Sequence, residues 1–163
     1  LIYADKKNKI PAHDLKFYTF YGEVGCVNEI ARDPDLAYWW YTPNGEDIDL
    51  GIKNSDQAVP IGVKAEYVEI ATELSKKIPA PHMRIDFLVG EDGIFLSEFC
   101  SQTGSQVETI IEVVSETWDR KFGNLYLKAE MNLINDLLQG KKFDEINEFN
   151  EICEKKYRQN RQK

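Results

Sequence analysis

A chain of 163 residues is long enough for one domain with a core of its own, or one domain and an appendage, and too short for two full domains. At 42% hydrophobic and 29% charged it has the composition of a globular protein, and no apolar run reaches membrane-spanning length. A net charge of -8, with the bases scattered among more numerous acids, excludes a broad duplex-nucleic-acid surface, which needs clustered Lys and Arg.

Cys26, Cys100 and Cys153 are odd in number and lack C-x-x-C spacing, which argues against a disulfide scaffold or a zinc site and makes a reducing cytosol the expected compartment. No signal peptide is visible. The chain begins at Leu1 rather than Met, so the expectation is a piece cut from something longer.

The first third reads as β-rich. "LKFYTFY", Gly22 and "EVGCVNEI" form an expected hairpin of aromatic and β-branched runs about a turn residue. In "RDPDLAYWWYTPNGEDIDL" the Asp-Pro and Pro-Asn-Gly signals predict a loop or short hairpin. Its Trp39, Trp40 and Tyr41 either pack at the core edge or stack on a ligand. After Pro60, Val63, Tyr67, Val68, Ile70, Ala71 and Leu74 recur at helical spacing until Pro79 and Pro81 stop the helix. "MRIDFLV" and "GIFLSEF" then make a second hairpin about "GEDG", followed by the polar turn "CSQTGSQ". From about Trp118 two helices are expected, "LYLKAEMNLINDLLQG" and "KFDEINEFNEICEKKYRQNRQK", divided at Gly140. The fold class is α+β, an antiparallel sheet with packed helices, and the division expected is 1–117 for the sheet domain and 118–163 for a helical extension.

The second hairpin carries acids in apolar strands. Alternation puts Arg84, Asp86 and Leu88 on one face, with Ile85 and Phe87 on the other, and Leu96, Glu98 and Cys100 together on the partner strand. Folding about Glu91 to Gly93 brings Asp86 and Glu98 close. Two adjacent carboxylates repel unless a cation lies between them, and a hard divalent ion that also takes phosphate oxygens suits the place. The alternative is an Arg84 ion pair with Asp86 or Glu98 on a half-exposed sheet, and spacing leaves both readings open. Neither His13 nor His82 stands in a Ser/His/Asp pattern, and no G-x-x-x-x-G-K phosphate loop occurs. His82, between Pro81 and Met83, reads as structural.

"RIDF", an acidic turn, "FLSEF" and a Gly-containing polar turn resemble the C-terminal metal-binding hairpin of the ATP-grasp superfamily. "HDLKFYTFYGEV" resembles the corresponding strand and turn of the teichuronopeptide-biosynthesis-like members. The Trp40 to Asn44 loop and the Pro-ended helix follow in the same order, so that the likeness runs from about Leu1 to Thr109. The resemblance implies the metal- and nucleotide-binding half of an ATP-dependent carboxylate-amine ligase that works through an acyl phosphate, in cell-surface polysaccharide or peptide-like metabolite biosynthesis. Asp86 would be the first Mg²⁺ (or Mn²⁺) ligand, Glu98 the ligand bridging two ions, and Arg84 a contact to the transferred phosphate. The third metal ligand falls on Cys100, where many relatives carry Asn, and a soft thiol suits Mg²⁺ poorly. Ser101, Gly104 and Ser105 would bind the acceptor carboxylate, Lys16 would face the nucleotide unless it is simply solvated, and Arg32 would meet an anionic substrate. The implied partners are ATP, a carboxylate, an amine or other nucleophile, and an N-terminal ATP-grasp half in cis or in trans. Two other readings stand beside this: a carbohydrate- or peptide-binding module using Trp39, Trp40 and Tyr41, and a divalent-metal hydrolase, which needs one more ligand such as a His.

Overall fold

The computed structural model describes residues 2–50, 59–101 and 114–144. Gly104, Ser105 and the second C-terminal helix expected over 142–163 lie largely outside them. A small hairpin, β1 (Tyr3–Asp5) and β2 (Ile10–Pro11), precedes the sheet proper. That sheet contains β3 (His13–Thr19), β4 (Val24–Ala31), β5 (Ala37–Tyr41), β6 (Met83–Gly90) and β7 (Gly93–Cys100), in the spatial order β5-β4-β3-β6-β7 and antiparallel throughout. Both expected hairpins are present, and β3 pairs with β6 to join them. The segment expected as a loop or short hairpin supplies the edge strand β5, whose Ala37, Trp39 and Tyr41 bury on one face as it pairs with β4, and then turns back at the Pro-Asn-Gly signal into a short hairpin closed by an antiparallel bridge between Tyr41 and Asp47.

Alternation divides the sheet into two faces. Leu15, Phe17, Val27, Ile85 and Phe87 pack against Tyr67 and Ala71 of α1 (Ala65–Lys76). The Phe17 and Phe87 rings meet edge to face, 5.5 Å apart, an arrangement worth about 0.5–1.5 kcal/mol beyond area burial. Helix α1 places Glu66 in its first turn and Lys76 in its last, matching the helix dipole. Ser75 fixes its end: its hydroxyl donates to the Thr72 carbonyl and accepts from the Gly22 amide, both at 2.8 Å.

On the opposite face Tyr18, Phe20, Cys26 and Trp40 pack with Ala129 and Leu133 of α2 (Glu116–Leu138). This helix begins two residues before Trp118 and runs unbroken to Leu138, ending just before Gly140, whose φ is +86°. At that end Lys141 donates to Tyr21 Oη at 2.7 Å and to Asp136 at 2.9 Å, while Tyr21 donates to Asp136 at 2.7 Å. The same face of the sheet also carries the polar residues Lys16, Asn28, Arg84 and Asp86.

The β6–β7 ladder departs from simple alternation at one place. Asp86 pairs with Glu98 but Phe87 pairs with Leu96, so Ser97 is an extra residue, a β-bulge. The bulge moves Leu96 to the Phe87 face. The expectation that Leu96 shares a face with Glu98 is thereby corrected.

Candidate functional site

The polar face is organised by strand register. Trp40 pairs with Asn28, Asn28 with Lys16, Lys16 with Asp86 and Asp86 with Glu98, a row crossing all five strands. The neighbouring row runs Cys26, Tyr18, Arg84, Cys100. Paired residues on adjacent strands point the same way, and strands lie about 4.8 Å apart, so side chains from separate parts of the sequence meet here.

Asp86 is the centre. It is 2% exposed. Arg84 Nε donates to Oδ1 at 2.8 Å and Arg84 Nη2 to Oδ2 at 2.9 Å, a forked pair, while Lys16 Nζ donates to Oδ2 at 2.5 Å. Burial works against the charge of Arg84, but the Asp86 contacts outweigh it and hold the guanidinium above its ordinary pKa. The predicted repulsion between two carboxylates is thus relieved inside the protein by two cations. The Arg84–Asp86 pair is buried rather than a surface salt bridge, and Lys16 is engaged rather than solvated.

Glu98 differs. Its side chain is 59% exposed and its Oε2 lies 3.7 Å from Arg84 Nη2, leaving most of the carboxylate open to solvent. Cys100 is partly buried opposite Arg84, and Ser101 is exposed at the end of β7. Five residues singled out by sequence therefore converge: Lys16, Arg84, Asp86, Glu98 and Cys100. Arg32 does not join them. It is half exposed and pairs with Asp14, which stands opposite Leu88 one row beyond.

Asp86 and Glu98 offer adjacent hard oxygen donors, the kind that Mg²⁺ takes; Cys100 offers sulfur, which does not fit. Among the described residues no group of three or more His, Cys, Asp and Glu side chains is placed to hold a metal. Neither histidine joins Asp86 and Glu98 in a hydrolase-type ligand group among the described residues. His13 points to the other side, its Nδ1 2.6 Å from Glu29 Oε1, and His82 Nδ1 lies 3.0 Å from the Thr19 carbonyl.

Alternation also separates the aromatics. Trp39 and Tyr41 are buried on the α1 face and Trp40 on the α2 face, so the three cannot form one stacking surface, and the binding-module reading built on them is corrected.

One residue of consequence escaped the sequence reading. Glu29 is fully buried; Oε1 accepts from His13 and the Ile61 amide (2.8 Å), and Oε2 from Tyr41 Oη and the Gly62 amide (both 3.0 Å). It anchors the segment entering α1. An acid inside the apolar run "CVNEIA" was the available signal.

A family model described as TupA-like ATPgrasp matches residues 1–127. No curated protein matches the chain. Similar solved structures include ATP-grasp ligase PsnB complexed with minimal precursor (TM-score 0.45, 12% identity, 74% of this chain and 35% of that one) and the same ligase with a phosphomimetic variant of minimal precursor, Mg and ADP (TM-score 0.43, 13% identity, 71% and 34%). The chain spans about a third of the length of those structures. Among the described residues no helix is long and apolar enough to cross a membrane.

Proposed function

Because the chain belongs to the TupA-like ATP-grasp family, we propose that its polar face is the metal- and nucleotide-binding half of an ATP-dependent carboxylate-amine ligase. The observation that carries this reading is the register pairing that sets Asp86 between Lys16 and Glu98, with Arg84 forked onto it. Two cations and two carboxylates on one rigid sheet suit phosphoryl transfer, in which positioning and charge neutralisation do most of the catalytic work.

In the first step a substrate carboxylate oxygen attacks the γ-phosphorus of ATP, the bond to the β–γ bridging oxygen breaks, and ADP leaves. In the second an amine nitrogen attacks the acyl carbonyl, inorganic phosphate leaves, and the amine proton passes to solvent. Lys16 and Arg84 hold the phosphoryl oxygens through these changes. A divalent ion held by Asp86 and Glu98 would neutralise phosphate charge, with Cys100 outside its coordination. Ser101, with Gly104 and Ser105, would orient the acceptor carboxylate, and Arg32 an anionic part of a substrate. The other wall of the nucleotide site comes from further protein, in cis or in trans, so these 163 residues alone turn over negligibly. The cellular setting is cytoplasmic assembly of a cell-surface polymer or peptide-like product.

The test is an NMR titration with Mn²⁺ and ADP. Paramagnetic broadening centred on residues 84–100 and lost in Glu98→Gln and Asp86→Asn supports the site. Absence of localised broadening from the folded wild type, or its survival in a folded Glu98→Gln variant, rejects it.

A further inference from the structure

Helix α2 carries two apolar faces, and the sheet uses one of them. Ala129 and Leu133 are buried on that side, with Phe122 and Leu125 packed beside them. On the other side Leu127, Met131, Ile134 and Leu138 follow one another at intervals of four, three and four residues. All four are exposed, Met131 by 71% and Leu138 by 83%. With about 3.6 residues to a turn this side lies opposite the buried one, so a single sheet cannot cover both.

Intervals of four, three and four make the heptad seam of a coiled coil, with Leu127 and Ile134 at d positions and Met131 and Leu138 at a positions. One heptad before Met131, Asn124 occupies the preceding a position and is also exposed. Arg120, at the d position before that, ends the apolar run and bonds Glu116 of its own helix. Leu137 flanks the seam at a g position. The four seam residues and Leu137 together expose on the order of 600 Å², as much as the largest apolar patch on an ordinary monomer. Two such faces supply about 1,200 Å², the lower end of a stable protein–protein interface.

We infer that two copies of this chain associate through this face, α2 lying parallel to α2 about a two-fold axis. Asn124 selects a second copy over an unrelated apolar helix. Against an apolar residue its amide is left unsatisfied, whereas pairing in register sets it against Asn124 of the other copy, and the two amides bond each other. Charge favours the same alignment, since Glu116 at g then lies toward Lys121 at e of the other copy. An antiparallel arrangement that sets Leu127 against Leu138 carries Asn124 beyond the end of the seam. Packing on the sheet already orders α2, so a seam of two heptads avoids the ordering cost that a free helix of that length meets. The inference rests on α2 alone and is independent of the ligase reading.

Sedimentation equilibrium of the full chain tests it, in about 0.15 M salt to screen the repulsion between two chains of charge -8, with reductant present so that no cysteine links them. The expected result is a reversible dimer with a micromolar dissociation constant. Met131→Glu, at an exposed position, is expected to weaken it at least a hundredfold and to leave the thermal melt of the diluted, monomeric chain unchanged. Asn124→Leu is expected to tighten it at least tenfold or to give a higher-order assembly, because a polar a residue trades stability for a specified pairing. A wild type that stays monomeric at about 0.2 mM, or a dimer that survives Met131→Glu, overturns the inference. Association unchanged or weakened in a folded Asn124→Leu variant overturns the parallel, in-register pairing.

Discussion

Lys16 and Asp86 stand directly opposite each other on β3 and β6, Nζ 2.5 Å from Oδ2, although 70 residues separate them in sequence. Arg84 holds the same carboxylate from its own strand, so Asp86 is the shared anion of two cations. Removing its charge leaves those cations facing each other in a buried setting. Asp86→Asn is expected to cost about 3–5 kcal/mol, the usual penalty for breaking a buried pair from one side. Glu98→Gln, more than half exposed, is expected to cost under about 1 kcal/mol. Urea unfolding of the two variants measures both, and equal costs would show that the burial difference between the two acids is not real.

The position of Cys100 yields a gain-of-function test. Cys100→Asn replaces a soft sulfur with an amide oxygen beside Glu98 on the same strand face. Mn²⁺ affinity, followed by water-proton relaxation, is expected to rise about tenfold, or about 1.4 kcal/mol. Unchanged affinity would place the ion beyond the reach of that side chain.

His82 gives the pH dependence its sign. Burial, reinforced by Arg84 and opposed by the Thr19 hydrogen bond, lowers its pKa from 6.5, so between the folded value and 6.5 the unfolded chain binds more protons. The contribution of the neutral ring is complete above 6.5 and is lost as pH falls through that window. His82→Asn keeps a donor for the Thr19 carbonyl and does not titrate. Its stability is expected to decline less than that of the wild type between pH 7 and pH 5 in parallel thermal melts; superimposable declines would remove His82 from the account.

Gly25 is the extra residue of a bulge in β4, where Tyr18 pairs with Cys26 but Thr19 with Val24. A Cβ there would lie 2.6 Å from the Phe20 ring and 3.1 Å from Leu125 of α2. Gly25→Ala is expected to cost about 1–3 kcal/mol by overpacking. Faster hydrogen exchange in α2 than in α1 would locate the damage at the face against which α2 packs.

The parts of the site that were legible in sequence are those joined by a short turn. Alternation along "MRIDFLV" and "GIFLSEF", with Gly93 at φ +120° closing the turn, is enough to set Asp86 beside Glu98 by counting outward from the loop. Lys16 was marked only through family likeness, because its partner is fixed by the β3–β6 pairing, which no local pattern encodes. The Ser97 bulge leaves no trace in the hydrophobic pattern, and Leu96 was misplaced for that reason. The three adjacent aromatics read as a unit in sequence, yet a strand distributes neighbours to opposite sides. Glu29 was missed because its donors come from three places, β3, β5 and the approach to α1.

The row from Trp40 to Glu98 also defines which changes in length the protein can absorb. Each member is held at its place by main-chain pairing, so extra residues at the β6–β7 turn, around Glu91 and Asp92, leave every cross-strand neighbour where it was. A single residue inserted within β3 ahead of Leu15, with the start of the strand held in register, would bring apolar Leu15 to the position opposite Asp86 and send the lysine toward α1. Natural length variation in this lineage is accordingly expected at strand junctions, with β3 and β6 keeping a fixed count, and a relative that violated that count would have lost the lysine from its place beside Asp86.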